Sequence, residues 1–318
     1  MLRDEMPPQM SEPVVLISHP ILAPIVPAMK ASGFRIAIAW ELSDDERAEV
    51  RAIVHAGEFV LAPEFLASLP KLGLIAAMTA GYDGVDVPWC RARGIEVTNA
   101  AGVNADDVAD HAMGLVLAGW RGILAGDRIV REGRWRHEDR MARQPQLTGR
   151  RLGILGMGHI GQAVAVRAEA FKLQVSWWGP NPKPVTWPRA DSVLALARGC
   201  DILMVAVRGG AATRGLVTAE VIDAVGPAGM IVNVARGSVI DEDALIAALK
   251  AGRLGRAALD VFAEEPTPAD RWADVPGTVL TPHRAGGTTE GIPLMLGQAI
   301  DNVRRFLAGE PVVTPAPG

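Results

Sequence analysis

The stretch LGILGMGHIG at residues 152–161 decides the fold that this sequence predicts. A short apolar strand runs directly into a turn of the pattern G-x-G-x-x-G, and a helix of small residues follows at about 162–170. Gly156 permits a tight turn, Gly158 leaves the backbone open to a ligand, and Gly161 lets the helix pack closely on the strand. Because the first N–H groups of a helix have no partner within it, this turn predicts a site for the pyrophosphate of a dinucleotide.

Apolar strand-like runs alternate with helix-length segments on both sides of this turn. The further runs lie at residues 14–17, 35–39, 72–76, 95–98, 174–178, 202–206, 230–234, 257–261 and 279–280. Strands that are apolar along their whole length are buried on both faces, which is typical of parallel sheets covered by helices. The predicted fold class is therefore α/β, with two Rossmann-like parallel-sheet domains and a long helix at about 104–122.

Composition narrows the class of protein further. A chain of 318 residues has room for two domains, and its net charge of −4 argues against a nucleic-acid partner. The two cysteines are far apart, so we predict neither a disulfide framework nor a metal site. The polar start of the chain has no signal-peptide core, and no apolar run is long enough for a membrane span. We expect a cytoplasmic protein that acts on a small molecule.

The carboxylate expected after the second strand of the dinucleotide-binding unit is missing. In NAD-binding proteins an acidic residue about 20 positions beyond the glycine turn holds the ribose 2′-hydroxyl. Here Gly179-Pro180-Asn181-Pro182-Lys183 follows the strand, and no Asp or Glu occurs between residues 171 and 190. Asn181 and Lys183 can receive a 2′-phosphate, which favours NADP over NAD. The alternative is that Lys183 is a solvated loop residue and that backbone groups bind the ribose of either cofactor.

Three polar side chains each follow one of the last three predicted strands. These are Arg236, Glu265 and His283. The carboxyl ends of parallel strands form the binding edge of an open sheet, so we expect the three to meet there. Arginine binds carboxylate and carbonyl oxygens with two parallel donors, histidine can donate a proton to a carbonyl oxygen, and a carboxylate favours the protonated imidazole. Taken one at a time, such residues more often form surface ion pairs or lie in solvated loops than serve in a catalytic site.

Four segments carry a resemblance to the D-isomer-specific 2-hydroxyacid dehydrogenase family. They are GMGHIG at 156–161, NVARGSVID at 233–241, DVF through EP at 260–266, and TPH at 281–283. The resemblance covers roughly residues 70–300 and implies two domains with a cleft between them. Residues 1–101 and 289–318 would form a discontinuous substrate-binding domain, and residues 102–288 an NAD(P)-binding Rossmann domain.

The resemblance also implies roles for individual residues. Arg236, Glu265 and His283 would be the catalytic triad, and Arg236 and His283 would also contact the substrate. The N–H groups of Ala80 and Gly81 would bind the substrate carboxylate. Asp260 would lie near the nicotinamide amide. The cofactor-binding residues predicted in all are Val108, Gly156, Gly158, His159, Ile160, Gly161, Gly179, Asn181, Lys183, Val207, Val234, Ala235, Arg236, Asp260, His283 and Gly286.

Within the family, the chain most resembles glyoxylate/hydroxypyruvate reductases. The likeness rests on VRGGAATR at 207–214 and departs at Arg208, where proline is usual. It implies reduction of a small 2-keto acid to the D-2-hydroxy acid with His283 as the proton donor, and the missing carboxylate described above predicts NADPH as the preferred reductant. It also implies a homodimer, with the helix near 104–125 in the interface.

Three alternatives stay open at this point. The substrate can be a bulkier 2-keto acid such as an aryl-pyruvate, for which Tyr82 is a candidate pocket wall or an ordinary packing residue. The chain can be a dinucleotide-sensing binding protein on the same fold, which the complete triad disfavours. The third alternative is an enzyme that oxidises formate or phosphite. The Glu265–His283 pair argues against it, because formate oxidation has no carbonyl that needs an acid/base pair.

Overall fold

A computed structural model describes residues 13–136 and 142–317, and these form two compact units. Unit 1 combines the chain up to Val103 with the chain from Thr289 onward, and unit 2 is the continuous segment Asn104–Thr288. The polar start considered above lies almost entirely outside the described residues.

Unit 1 contains a five-stranded parallel sheet in the order β2-β1-β3-β4-β5. Its elements before the long insertion are β1 Val14–Ile17, α1 Val26–Ala31, β2 Arg35–Ile38, α2 Asp44–Glu49, β3 Val50–His55, α3 Pro63–Ala67, β4 Leu74–Ala77, α4 Val87–Arg91 and β5 Glu96–Thr98. The four strands predicted here are confirmed to within two residues.

β3 is not among the predicted strands, because the segment between β2 and the next predicted strand has the length expected of one helix. The reason is local. Ser43 caps the short helix α2 with a capping box, since its backbone N–H donates to the Glu46 carboxylate and its hydroxyl accepts from the Glu46 N–H. β3 then begins at Val50 with no turn residue after α2, so the charged helical pattern runs unbroken into the strand. Ile53 and Val54 of β3 are fully buried.

Unit 2 contains a six-stranded parallel sheet in the order β11-β10-β9-β8-β6-β7. Its elements are α5 Ala105–Trp120, α6 Ile123–Arg131, β6 Arg151–Leu155, α7 His159–Ala170, β7 Gln174–Trp178, α8 Val193–Arg198, β8 Ile202–Val205, α9 Ala219–Val225, β9 Met230–Asn233, α10 Glu242–Lys250, β10 Arg256–Leu259, α11 Ala269–Ala273 and β11 Thr278–Leu280. The two parallel sheets confirm the predicted fold class.

The strands of unit 2 are apolar along their length because helices cover both faces of the sheet. Ile154 of β6 packs into one hydrophobic cluster, and its neighbour Leu155 packs into the other. β6 lies between β7 and β8, so the chain connections diverge at its carboxyl end. Such a switch point leaves a crevice where an open α/β sheet binds its ligands.

The last helix, α12 Gly291–Ala308, belongs to unit 1. Met295, Ala299 and Val303 recur at helical spacing and pack into the cluster on one face of the unit 1 sheet. No helix in the described part of the chain is both long and apolar enough to cross a bilayer.

Candidate functional site

Glu265 and His283 lie in the loops after β10 and β11 and form a short hydrogen bond. Nδ1 of His283 lies 2.6 Å from Oε2 of Glu265. The second carboxylate oxygen accepts the backbone N–H of Phe262 at 2.9 Å, so the carboxylate is held from two directions. Both side chains remain 35% exposed. Because Glu265 occupies Nδ1, Nε2 is the ring nitrogen that can meet a ligand.

This contact shifts both groups towards their charged forms. The hydrogen bond that Nδ1 of His283 donates to the Glu265 carboxylate raises the pKa of His283 above its usual value, although burial acts in the opposite direction. Burial alone would raise the pKa of Glu265, but the hydrogen bonds from His283 and from the Phe262 N–H outweigh it and lower that pKa. The pair therefore favours an imidazolium beside a carboxylate, which suits His283 to give a proton at Nε2.

A buried carboxylate holds the loop that carries His283. Asp260 is 1% exposed and accepts hydrogen bonds from the Thr281 hydroxyl at 2.6 Å and from the N–H groups of Arg284 and Ala285, each at 2.9 Å. The N–H of His283 donates to the backbone carbonyl of Asp260 at 2.8 Å. His283 has a φ of 48°, a left-handed conformation that a residue with a large side chain seldom adopts. The surrounding bonds hold this conformation and so set the direction of the imidazole.

The same network includes His111 of α5, which is not among the site residues predicted from the sequence. Nε2 of His111 lies 3.0 Å from the Thr281 hydroxyl and 3.4 Å from Oδ1 of Asp260. Because the Thr281 hydroxyl donates to Asp260, it accepts from His111. His111 and Thr281 are 170 positions apart, and no local pattern links a residue of α5 to the end of β11.

Arg236 follows β9, and a buried amide shapes its turn. The Asn233 side chain accepts the N–H of Ala235 at 3.0 Å and donates to the carbonyl of Arg236 at 3.0 Å. A Cβ atom on Gly237 would lie 1.8 Å from the carbonyl carbon of Phe262, so the absence of a side chain there brings the loops after β9 and β10 into contact. The positive charge of Arg236 helps to lower the pKa of Glu265 and opposes the rise in the pKa of His283.

The glycine turn after β6 leaves open space where a ligand would approach. A Cβ on Gly161 would lie 2.0 Å from the carbonyl oxygen of Gly156, so helix and turn are in close contact. A Cβ on Gly158 would meet nothing within 4 Å. Helix α7 begins at His159, and its first turn has no side-chain cap. Unpaired N–H groups beside an open backbone fit the pyrophosphate of a dinucleotide.

The other predicted cofactor-binding residues lie mostly along the carboxyl edge of the unit 2 sheet. Val207 follows β8, Val234 and Ala235 follow β9, and Gly286 follows β11. Gly286 has Val108 of α5 as a close neighbour, because a Cβ at Gly286 would lie 3.5 Å from Cγ2 of Val108. Gly179, Asn181 and Lys183 follow the end of β7, where Gly179 is buried and the other two are exposed.

In unit 1, the loop after β4 presents two backbone donors. The Asn99 amide donates to the Ala80 carbonyl at 2.6 Å, and the Thr79 hydroxyl donates to the Gly81 carbonyl at 2.7 Å. These bonds hold the carbonyl groups, whereas the N–H groups of Ala80 and Gly81 donate to no acceptor in the described part of unit 1. Tyr82 is buried in the unit 1 core, and its hydroxyl donates to the carbonyl of Pro317 at 2.9 Å. Of the two roles considered for Tyr82, these contacts fit that of an ordinary packing residue.

Comparison with known proteins places this site in a family. The family model described as "D-isomer specific 2-hydroxyacid dehydrogenase, NAD binding domain" matches residues 113–285. Hydroxyphenylpyruvate reductase from Plectranthus scutellarioides is 40% identical over 267 residues, which cover 84% of this chain and 85% of that protein.

Two solved structures are similar along nearly the whole chain. A 2-hydroxyacid dehydrogenase from Ketogulonicigenium vulgare Y25 superposes with a TM-score of 0.88 at 39% identity, covering 97% of this chain and 99% of that one. An NADPH-dependent glyoxylate/hydroxypyruvate reductase from Sinorhizobium meliloti, in complex with NADP and malonate, has a TM-score of 0.87 at 33% identity, covering 96% and 97%. The chain therefore belongs to the D-isomer-specific 2-hydroxyacid dehydrogenase family, as the four motif segments predict.

Proposed function

We propose that this protein is an NADPH-preferring reductase that converts a small 2-keto acid of the glyoxylate or hydroxypyruvate type into the D-2-hydroxy acid. The observation that carries the proposal is the 2.6 Å hydrogen bond between Nδ1 of His283 and Oε2 of Glu265. The charge of Arg236 also contributes to the electrostatics of this pair. The similarity to a glyoxylate/hydroxypyruvate reductase supports the substrate class.

A nicotinamide cofactor would supply the hydride when bound, and the protein's own residues bind and polarise the keto acid. Arg236 offers two parallel N–H donors to the carboxylate and carbonyl oxygens of the substrate. The N–H groups of Ala80 and Gly81, which have no acceptor among the described residues, suit a carboxylate oxygen. Nε2 of His283 gives its proton to the carbonyl oxygen as that oxygen gains charge, and Glu265 stabilises the imidazolium until the transfer.

The cofactor preference rests on charge. The segment after β7 exposes Asn181 and Lys183 and contains no carboxylate that would repel a 2′-phosphate. A carboxylate at this position would instead favour NAD by binding the ribose 2′-hydroxyl. The NADPH dependence of the similar Sinorhizobium meliloti reductase is in line with this proposal.

Reduction of an aryl-pyruvate is the second candidate, and the 40% identity to a hydroxyphenylpyruvate reductase favours it. The deciding experiment measures kcat/KM for glyoxylate, hydroxypyruvate, phenylpyruvate and 4-hydroxyphenylpyruvate, each with NADPH and with NADH. We expect the highest values for a small keto acid with NADPH. A higher value for an aryl-pyruvate would select the second candidate, and a clear preference for NADH would contradict the cofactor assignment. Failure to turn over any keto acid would support a dinucleotide-sensing role.

Replacing Gly158 or Gly161 by valine should separate the role of the glycine turn in ligand binding from its role in folding. Gly158→Val places its side chain in open space, so we expect stability to change by less than about 0.5 kcal/mol. The side chain would occupy the pyrophosphate position, and NADPH affinity is expected to fall about tenfold or more. Gly161→Val clashes with the Gly156 carbonyl and should cost about 1–3 kcal/mol of unfolding free energy. Urea unfolding and NADPH fluorescence titration measure the two effects, and equal NADPH affinity in Gly158→Val and wild type would refute this assignment.

Glu265→Gln is expected to change the pH dependence of reduction. His283 must be protonated to act as the acid, so activity is present below its raised pKa and is lost as the pH rises through that value. Removing the carboxylate charge lowers the pKa of His283, and the loss of kcat on the alkaline side should therefore move to lower pH. Glu264→Gln is the matched control, because Glu264 is an exposed neighbour outside the pair. Superimposable pH profiles for Glu265→Gln and wild type would show that Glu265 does not set this pKa.

A further inference from the structure

Arg189 holds its guanidinium group against the end of β7. Nη2 donates to the Gly179 carbonyl at 2.7 Å and to the Pro180 carbonyl at 3.3 Å, and Nε donates to the Gly179 carbonyl at 3.3 Å. The guanidinium carbon lies 5.7 Å from the centre of the Trp177 ring. A positive charge thus lies beside the backbone that follows β7, the segment in which an NAD-binding protein carries its acidic residue.

The edge of the sheet explains how Arg189 reaches this position from ten residues further along the chain. β7 is an edge strand, and the segment around Arg189 pairs with its free side. The Trp177 N–H donates to the Pro188 carbonyl at 3.0 Å, and the Ala190 N–H donates to the Trp177 carbonyl at 2.7 Å. Two backbone bonds therefore fix Arg189 on both sides. Arg189 is not among the predicted site residues, because this edge pairing is not visible in the local sequence pattern.

The guanidinium retains both charge and donors for a ligand. Within the part of the chain that the structure describes, Arg189 forms no ion pair with a carboxylate, and its Nη1 atom donates no hydrogen bond. The carbonyl groups of Gly179 and Pro180 hold the guanidinium plane in place without neutralising it. A fixed planar cation binds a phosphate with less loss of side-chain freedom than a mobile one.

Lys183 is the other cation of this segment, and it is held less firmly. Its side chain is exposed and donates to no group among the described residues. An ammonium group on a flexible stem acts as a point charge, whereas a guanidinium offers directed pairs of donors to phosphate oxygens. The geometry therefore distinguishes Arg189 from both Lys183 and Asn181.

We propose that Arg189 is the specificity-determining residue that binds the 2′-phosphate of NADPH. This inference rests on the proposed NADPH preference and names the side chain responsible for it. Arg189 binds a phosphate that is remote from the transferred hydride, so its substitution should change which cofactor is used and leave the acid–base chemistry of His283 intact.

The test uses adenosine 2′,5′-bisphosphate and adenosine 5′-monophosphate as probes, which differ only in the 2′-phosphate. Calorimetric titration of the full-length protein gives the ratio of the two dissociation constants. We expect wild type to bind the bisphosphate more tightly, and Arg189→Ala to lose about tenfold in bisphosphate affinity with the monophosphate affinity unchanged. Arg189→Lys should recover part of the loss, because it keeps the charge and loses the directed donors.

Arg198→Ala is the matched control, because Arg198 is an exposed arginine at the end of α8 that pairs with Glu220 at 3.7 Å. It should leave the ratio unchanged. The kcat/KM ratio for NADPH against NADH should fall in Arg189→Ala in parallel with the binding ratio. A wild-type protein that prefers NADPH together with an unchanged ratio in Arg189→Ala would overturn the assignment of Arg189 alone. A wild-type protein with no preference for the bisphosphate would overturn the proposed cofactor preference, and the role of Arg189 with it.

Discussion

His283→Ala is expected to lower kcat for keto acid reduction by about 10²–10⁴-fold, the range that a positioned general acid contributes. Alanine removes the proton donor at Nε2 and leaves the Glu265 carboxylate without its partner. The residual rate would then depend on proton delivery from water. Steady-state kinetics over a range of pH measure the effect, and the alkaline loss of activity that His283 confers on wild type should disappear in the variant.

Two further measurements separate this role from a structural one. His283 is 35% exposed and lies in a loop held mainly by Asp260, so the melting temperature of His283→Ala should stay close to that of wild type. The KM for the keto acid should rise less than kcat falls, because Arg236 still binds the carboxylate. A stable variant that retains full kcat would rule out His283 as the proton donor.

Arg236→Lys is expected to lower kcat/KM by about 10²–10³-fold although the charge is kept. The loss corresponds to one or two charge-assisted hydrogen bonds, each contributing about 1.5–3 kcal/mol. Lysine offers a point charge in place of the planar pair of donors that fits a carboxylate. Arg198→Lys, at an exposed ion pair, is the control and should retain wild-type kcat/KM. If Arg236→Lys is as active as wild type, charge alone is sufficient and bidentate binding is contradicted.

The backbone framework of unit 2 could be predicted from the sequence because its strands are apolar on both faces. The runs at 152–155 and 174–178 coincide with β6 and β7 to within one residue. β3 could not be predicted in the same way, since α2 passes into it without a turn residue. A strand bounded by polar or glycine-rich segments is visible in a sequence, and one that continues a charged helix is not.

Site residues that directly follow a strand could be predicted from the sequence. Contacts between segments that are far apart in the chain could not. Glu265 and His283 follow neighbouring strands, and their predicted contact is present as a 2.6 Å bond. The link from His111 to Asp260 joins a helix to a strand end, and the contact of Arg189 with Gly179 depends on edge pairing. Such contacts are set by tertiary packing, which residue patterns within a short window do not contain.

The interruption of unit 1 by unit 2 has a consequence for the order of folding during synthesis. Unit 2 is one continuous segment and can form its core as soon as it leaves the ribosome. Unit 1 must wait for α12, whose Phe306 ring packs against Gly73 and whose Met295 belongs to a core cluster with β1 and β3. The final segment also adds to the sheet, since Ala316 donates to the Val97 carbonyl at 2.8 Å. The nascent segment up to Val103 therefore exposes an incomplete apolar face until α12 has been synthesised, and during that interval this face needs protection from aggregation.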